Sequence, residues 1–131
     1  MITNNLKPIS LNLKMGSTDD LHPAFCFRYL ISGYNLNNLL LSGTEYVKNF
    51  LNKIDMLSKL SWKEIEKNSR YKNGTEIIDS KSIKKELPKT ITLDMNILSF
   101  HLNGLFRLIG VRDGKIFYVL FIDTKGEIYK H

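Results

Sequence analysis

Cysteine occurs once and proline three times in 131 residues. No apolar run approaches the roughly 20 residues that a membrane-spanning helix needs. The single Cys26 excludes an intrachain disulfide, and its setting in AFCFRYL makes it a small buried hydrophobe. Cysteine and histidine nowhere fall at zinc-ligand spacing, and there is no glycine-rich phosphate loop, so no metal and no cofactor are expected. The opening residues MITNNLKPIS lack a signal-peptide apolar core. No membrane partner is expected, and the expected location is cytoplasmic.

What is present is enough apolar matter for a core: 43% hydrophobic and 11% aromatic residues. A chain of this size buries about two-thirds of its unfolded surface and needs no staple. The expectation is one domain over residues 1–131, with an extended strand and loop region over residues 1–40. Nineteen Lys and Arg against 13 Asp and Glu leave a formal charge of +6. That balance suits a polyanionic partner, either nucleic acid or an acidic protein. Lysine far outnumbers arginine, however, and much of it reads equally well as solvated surface.

Hydrophobic periodicity divides the chain into four stretches. ISLNLKM and FCFRYLI alternate with a period of two, placing Ile9, Leu11, Leu13 and Met15 on one face, and Phe25, Phe27, Tyr29 and Ile31 on one face, as in half-buried strands. In SGTEYVKNFLNKIDMLSKL the apolar residues recur at three and four, which predicts an amphipathic helix started by Ser42 with Glu45 or by Thr44. Ser61 and Glu64 form a capping box that opens a second short helix through Trp62 and Ile65. SKSIKKELP reads as one more helical turn before Pro88. From Ile97 onward, Asn103-Gly104, Asp113-Gly114 and Asp-Thr-Lys-Gly126 punctuate four strands of an antiparallel meander. Strands, helices and a meander in that order make an α+β domain, with two to three helices packed on one face of the sheet.

If Asn103-Gly104 and Asp113-Gly114 are two-residue hairpin loops, the register follows. Phe100 then opposes Arg107 and His101 opposes Phe106. A largely apolar, helix-covered face carries Leu98, Phe100, Leu102, Ile109, Val111, Ile116, Leu120 and Ile122, with Arg107 and Tyr118 as exceptions. The other face carries Ser99, His101, Gly110, Arg112 and Lys115. A glycine bulge at Gly126 sets Tyr129 opposite Phe121 and His131 opposite Val119, beside His101 and Ser99. A two-residue last loop moves both to the face of Arg107 and Tyr118. The bulge is preferred, because Gly126 stands where it needs a glycine. Tyr129 and His131 also read simply as the end of an edge strand, and Arg107 as a buried, paired arginine.

From about Trp62 to His131, and above all in LFRLIGVRDGKIFYVLFIDTKGEIYKH with its R-x-I-G-x-R-D-G hairpin and terminal Tyr-x-His, the chain resembles the RelE/ParE superfamily of bacterial toxins, HigB-like ribonucleases in particular. The first forty residues exceed what a minimal family member needs. The resemblance implies a RelE/ParE-like fold and a metal-independent endoribonuclease acting on messenger RNA, commonly on the ribosome and held in check by an antitoxin protein. Such chemistry needs a base for the 2′-hydroxyl, an acid for the leaving 5′-oxygen and a cation on the phosphate. The resemblance gives His131 the proton transfer, Tyr129 the orientation of the 2′-hydroxyl or stacking on a base, and Arg107 and Arg112 the phosphate. Arg70, Tyr71 and Lys72, in a loop after the second helix, mix base and ring as RNA contacts do, and His101 and Lys115 extend that surface. Two other readings stand beside it: a non-enzymatic ParE-like toxin that binds gyrase, and a basic RNA- or protein-binding module without catalysis.

Overall fold

The computed structural model describes residues 17–68, 74–91 and 95–130. The expected strand over residues 9–15 lies outside them. Three helices and a five-stranded mixed sheet make an α+β fold: β1 (Ala24–Cys26), α1 (Leu36–Ser42), α2 (Thr44–Ser58), α3 (Trp62–Lys67), β2 (Thr75–Ile78), β3 (Ile97–His101), β4 (Arg107–Asp113) and β5 (Ile116–Asp123). The sheet order is β1-β5-β4-β3-β2. Strands β2 to β5 form an antiparallel meander, and β1 lies parallel to β5 with Phe25 beside Phe117. No helix among the described residues is long and apolar enough to cross a membrane.

The helices follow their local signals in part. Ser61 and Glu64 make the expected reciprocal capping box at α3. Helix α2 starts instead at Gly43, with no side-chain cap, because α1 runs directly into it. Helix α1 went unanticipated; Asn35 and Asn38 cap it reciprocally, an amide version of the same box. The three helices bury Leu39, Phe50, Leu57, Trp62 and Ile65 against Leu98, Phe100, Leu108, Phe117, Val119 and Ile122 of the sheet.

The opposite face carries a core of its own. Ile78, Ile97, Ile109, Val111, Leu120, Phe121, Ile128 and Tyr129 form a second core, with Tyr29, Ile31, Tyr34, Ile83 and Leu87 packed on it. A strand as apolar as IFYVLFID is what burial on both faces requires. The expected strand through Phe25, Phe27, Tyr29 and Ile31 stops at Cys26. Phe25 and Phe27 pack on the helix side, whereas Tyr29 and Ile31 pack on the other. The chain wraps around the β5 edge there, held by Ile31 N–H to the Leu120 carbonyl and Ile122 N–H to the Tyr34 carbonyl, both at 2.9 Å.

Both hairpin registers differ from the expected ones. Around Asn103-Gly104, His101 opposes Arg107 and Phe100 opposes Leu108. The loop is longer than two residues, closed by Leu102 N–H to the Phe106 carbonyl (3.0 Å) and Phe106 N–H to the Asn103 carbonyl (2.9 Å). In the second hairpin Asp113 opposes Ile116, so the two-residue loop is Gly114-Lys115. The reason is steric. Gly104 and Gly114 take positive φ, but no described non-glycine residue does, so Asn103 and Asp113 decline the left-handed position that a type I′ turn demands. Glycine as the first central residue, with Lys115 after it, suits a type II′ turn. A bulge between Ile109 and Gly110 then sends both Leu120 and Phe121 into the second core. Ile109, Val111 and Leu120 therefore leave the helix-covered face on which they were expected.

The expected fourth meander strand over the C-terminus does not form. Past Gly126 the Ile128 N–H donates to the Asp123 carboxylate (3.0 Å) and its carbonyl accepts from Lys84 N–H (2.8 Å). The segment thereby crosses the second core instead of pairing with β5.

Candidate functional site

One row of polar side chains crosses the second face. His101 on β3 opposes Arg107 on β4, and Arg107 opposes Asp123 on β5. In the next row Glu76 on β2 opposes Ser99 on β3. Tyr129 lies over these rows, with its ring buried and its hydroxyl 2.8 Å from Ser99 Oγ and 3.3 Å from Glu76 Oε1. It shares this face with His101 and Ser99 as the sequence suggested, but arrives by the crossing segment and not by strand pairing.

The Arg107 guanidinium donates to the carbonyls of Gly104 (2.7 Å) and Phe106 (3.2 Å). His101 Nε2 lies 2.9 Å from the same Gly104 oxygen. A carbonyl only accepts, so this nitrogen carries the ring proton. Burial pushes the Tyr129 phenol up; the hydrogen bond with Ser99 opposes this, Glu76 adds to it, and Arg107 opposes it. Raised in this way, Tyr129 stays a neutral hydrogen-bonding group near neutrality and serves to orient rather than to ionise.

Asp123 is fully buried. One carboxylate oxygen accepts from Ile128 N–H and the other has no hydrogen-bond partner among the described residues.

Arg112 lies on the helix-covered side, away from this cluster. It ion-pairs with Asp19 (2.7 Å) and Glu66 (2.9 Å), donates to the Gly114 carbonyl (2.8 Å), and lies 4.4 Å over the Trp62 ring. Lys115 occupies the far turn, where its carbonyl accepts from Ala24 N–H and from the Trp62 indole. The structure therefore brings together Tyr129, Arg107 and His101 but not Arg112 or Lys115. His131, Arg70, Tyr71 and Lys72 lie outside the described residues.

Glu76 and Ser99 belong to the cluster and were missed as candidates. The only hint of Glu76 in the sequence is a carboxylate between strand-forming residues, in TEII. Together the cluster offers an imidazole, a carboxylate, a guanidinium and an oriented phenol, which is proton transfer beside an anion clamp.

Comparison with protein-family models, with curated proteins and with solved structures finds no match to this chain.

Proposed function

We propose that this chain is a toxin-type endoribonuclease of the RelE/ParE kind that cleaves messenger RNA without a metal. The observation that carries the reading is the convergence of His101, Arg107, Glu76 and Tyr129 at one end of a single sheet face. The order of helices followed by an antiparallel meander, and the net positive charge, are consistent with it.

In this reading Arg107 holds the non-bridging oxygens of the scissile phosphate. Glu76 takes the proton of the 2′-hydroxyl as that oxygen attacks phosphorus. An imidazole returns a proton to the departing 5′-oxygen, leaving a 2′,3′-cyclic phosphate and a 5′-hydroxyl. Tyr129, anchored on Ser99, orients the attacking group. His101 supplies the imidazole within the described residues; His131, two residues beyond Tyr129, is the one the family resemblance implies.

The test is induced expression in a bacterial host, with growth followed alongside mapping of RNA 5′ ends, and the purified chain assayed on free and ribosome-bound RNA. Growth arrest with new 5′-hydroxyl ends is expected. Loss of both in His101→Ala or His131→Ala identifies the working imidazole. Arrest without new ends would refute the ribonuclease reading and favour a bound target such as gyrase.

A further inference from the structure

The Gly104 carbonyl that gathers His101 and Arg107 belongs to the tip of the β3–β4 hairpin, and the same tip walls a cleft of about 590 Å³. Its other walls are Glu45, Tyr46 and Asn49 of α2, with Asn103, Leu105 and Lys125. The volume is ample for one nucleotide. Tyr46 packs against the buried Phe106 at a centroid distance of 5.5 Å and remains 37% exposed, so one aromatic surface is fixed and open. Leu105 is exposed beside it. Around this apolar floor are two carboxamides, one carboxylate and one ammonium.

Aromatic rings held at a pocket wall take splayed bases by stacking, and polar side chains then read the Watson–Crick edge. The carboxylate narrows the choice. Guanine alone among the four RNA bases presents two adjacent donors on that edge, N1–H and the 2-amino group, which one carboxylate accepts together. The Asn49 and Asn103 amides can donate to guanine O6 and N7, and Lys125 suits a neighbouring phosphate.

We propose that this cleft binds a guanine base of single-stranded RNA, stacked on Tyr46 and read by Glu45, on the helix side of the hairpin tip whose other side carries Arg107. The assignment rests on the ribonuclease reading for its biological substrate, but binding of the base can be tested without cleavage.

The experiment titrates the intact chain with the 3′-monophosphates of guanosine, adenosine, cytidine and uridine, following amide chemical shifts by NMR. Guanosine monophosphate is expected to bind tightest and to shift residues 45–49 and 103–105. Tyr46→Ala should weaken it roughly ten- to hundredfold, the usual worth of one stacked base. Glu45→Gln, an exposed change with little effect on folding, should remove the preference for guanine while leaving some binding. Equal affinity for all four nucleotides, or shifts confined to other residues, would overturn the proposal. Selective binding by a chain that cuts no RNA would keep the guanine site and remove the ribonuclease reading. Cleavage at any base without such binding would do the reverse.

Discussion

His101 and Arg107 stand opposite each other across the β3–β4 hairpin and share one acceptor, the Gly104 carbonyl, at 2.9 and 2.7 Å. Two donors, one of them cationic, are thus already convergent on an oxygen atom. A phosphate oxygen in place of that carbonyl meets the same geometry with the charge improved.

Removing the guanidinium is therefore expected to act on function more than on folding. Arg107→Ala should lower RNA cleavage by about a hundredfold or more, the usual cost of losing one charge-stabilising donor. Two of its hydrogen bonds go to carbonyls of a partly exposed loop and a further interaction reaches the Tyr129 hydroxyl, so the urea midpoint should fall only modestly. Arg107→Lys should recover only part of the rate, since a point charge does not reproduce the two-pronged fork. Unchanged cleavage in Arg107→Ala would remove this residue from the site.

Arg112 should behave in the opposite way. It ties Asp19 and Glu66 to the sheet and covers Trp62, so Arg112→Ala is expected to cost about 1–2 kcal/mol in denaturant unfolding. The Arg112 guanidinium also holds the Asp19 carboxyl below its ordinary value of 3.8. A depressed carboxyl contributes stability at pH above 3.8, and that contribution fades as pH falls through the lower folded value. The acid-side loss of stability should be smaller in Arg112→Ala than in the native chain. Equal stability of the two proteins across this range would contradict the structural role.

Gly110 lies at the bulge that sets which β5 residues enter which core. A methyl group there would overlap the Tyr118 carbonyl oxygen and come within 2.9 Å of the Phe117 ring. Neither neighbour has room to retreat, because Phe117 is fully buried and Tyr118 is held by the ladder. Gly110→Ala should cost about 3 kcal/mol or more, or leave the chain unfolded, by circular dichroism and urea titration. A stable Gly110→Ala protein would mean that the bulge lies elsewhere.

Tyr34 gives an alkaline signature. Desolvation, together with its 2.8 Å hydrogen bond to Glu127, pushes its phenol up to about 12. A phenol raised in the folded state holds its proton there after the unfolded chain has released it. Its stabilisation is complete below about 10 and is lost as pH rises towards 12. Ultraviolet titration should show a late tyrosine transition whose amplitude Tyr34→Phe reduces, with the raised Tyr129 phenol contributing the remainder, and Glu127→Gln should move the Tyr34 part earlier.

Much of the fold was legible because its signals are local. The Ser61–Glu64 capping box specified the start of α3, and the three- and four-residue spacing specified α2 and its core contacts Phe50 and Leu57, with Val47 and Ile54 half-buried beside them, although Tyr46, Leu51 and Met56 of the same pattern stay exposed. Two glycine-bearing turns, at Gly104 and Gly114, marked where the meander reverses, and a third, at Gly126, marked where the chain leaves β5. The missed helix α1 had a local signal too, in Asn35 and Asn38, but one carried by amides instead of the more familiar hydroxyl and carboxylate. Tyr129 was legible as a candidate because an aromatic residue in a polar terminal segment is conspicuous. Glu76 was not, since nothing in TEII says that its carboxylate will meet a tyrosine 53 residues later.

The sequence by itself determined what short-range chemistry controls: where α3 starts, that an amphipathic helix precedes it, and roughly where the β3–β4 and β4–β5 hairpins turn. Tertiary structure decided which side chains meet. Side chains alternate along a strand, so lengthening one hairpin loop transferred Arg107 from the expected helix-covered face to the row of His101. Arg112, five residues along the same strand, consequently lies on the other side, against Trp62. The choice depends on φ at Asn103 and Asp113 and on packing at Gly110, where steric fit across strands overrules the dipeptide preferences that the sequence displays.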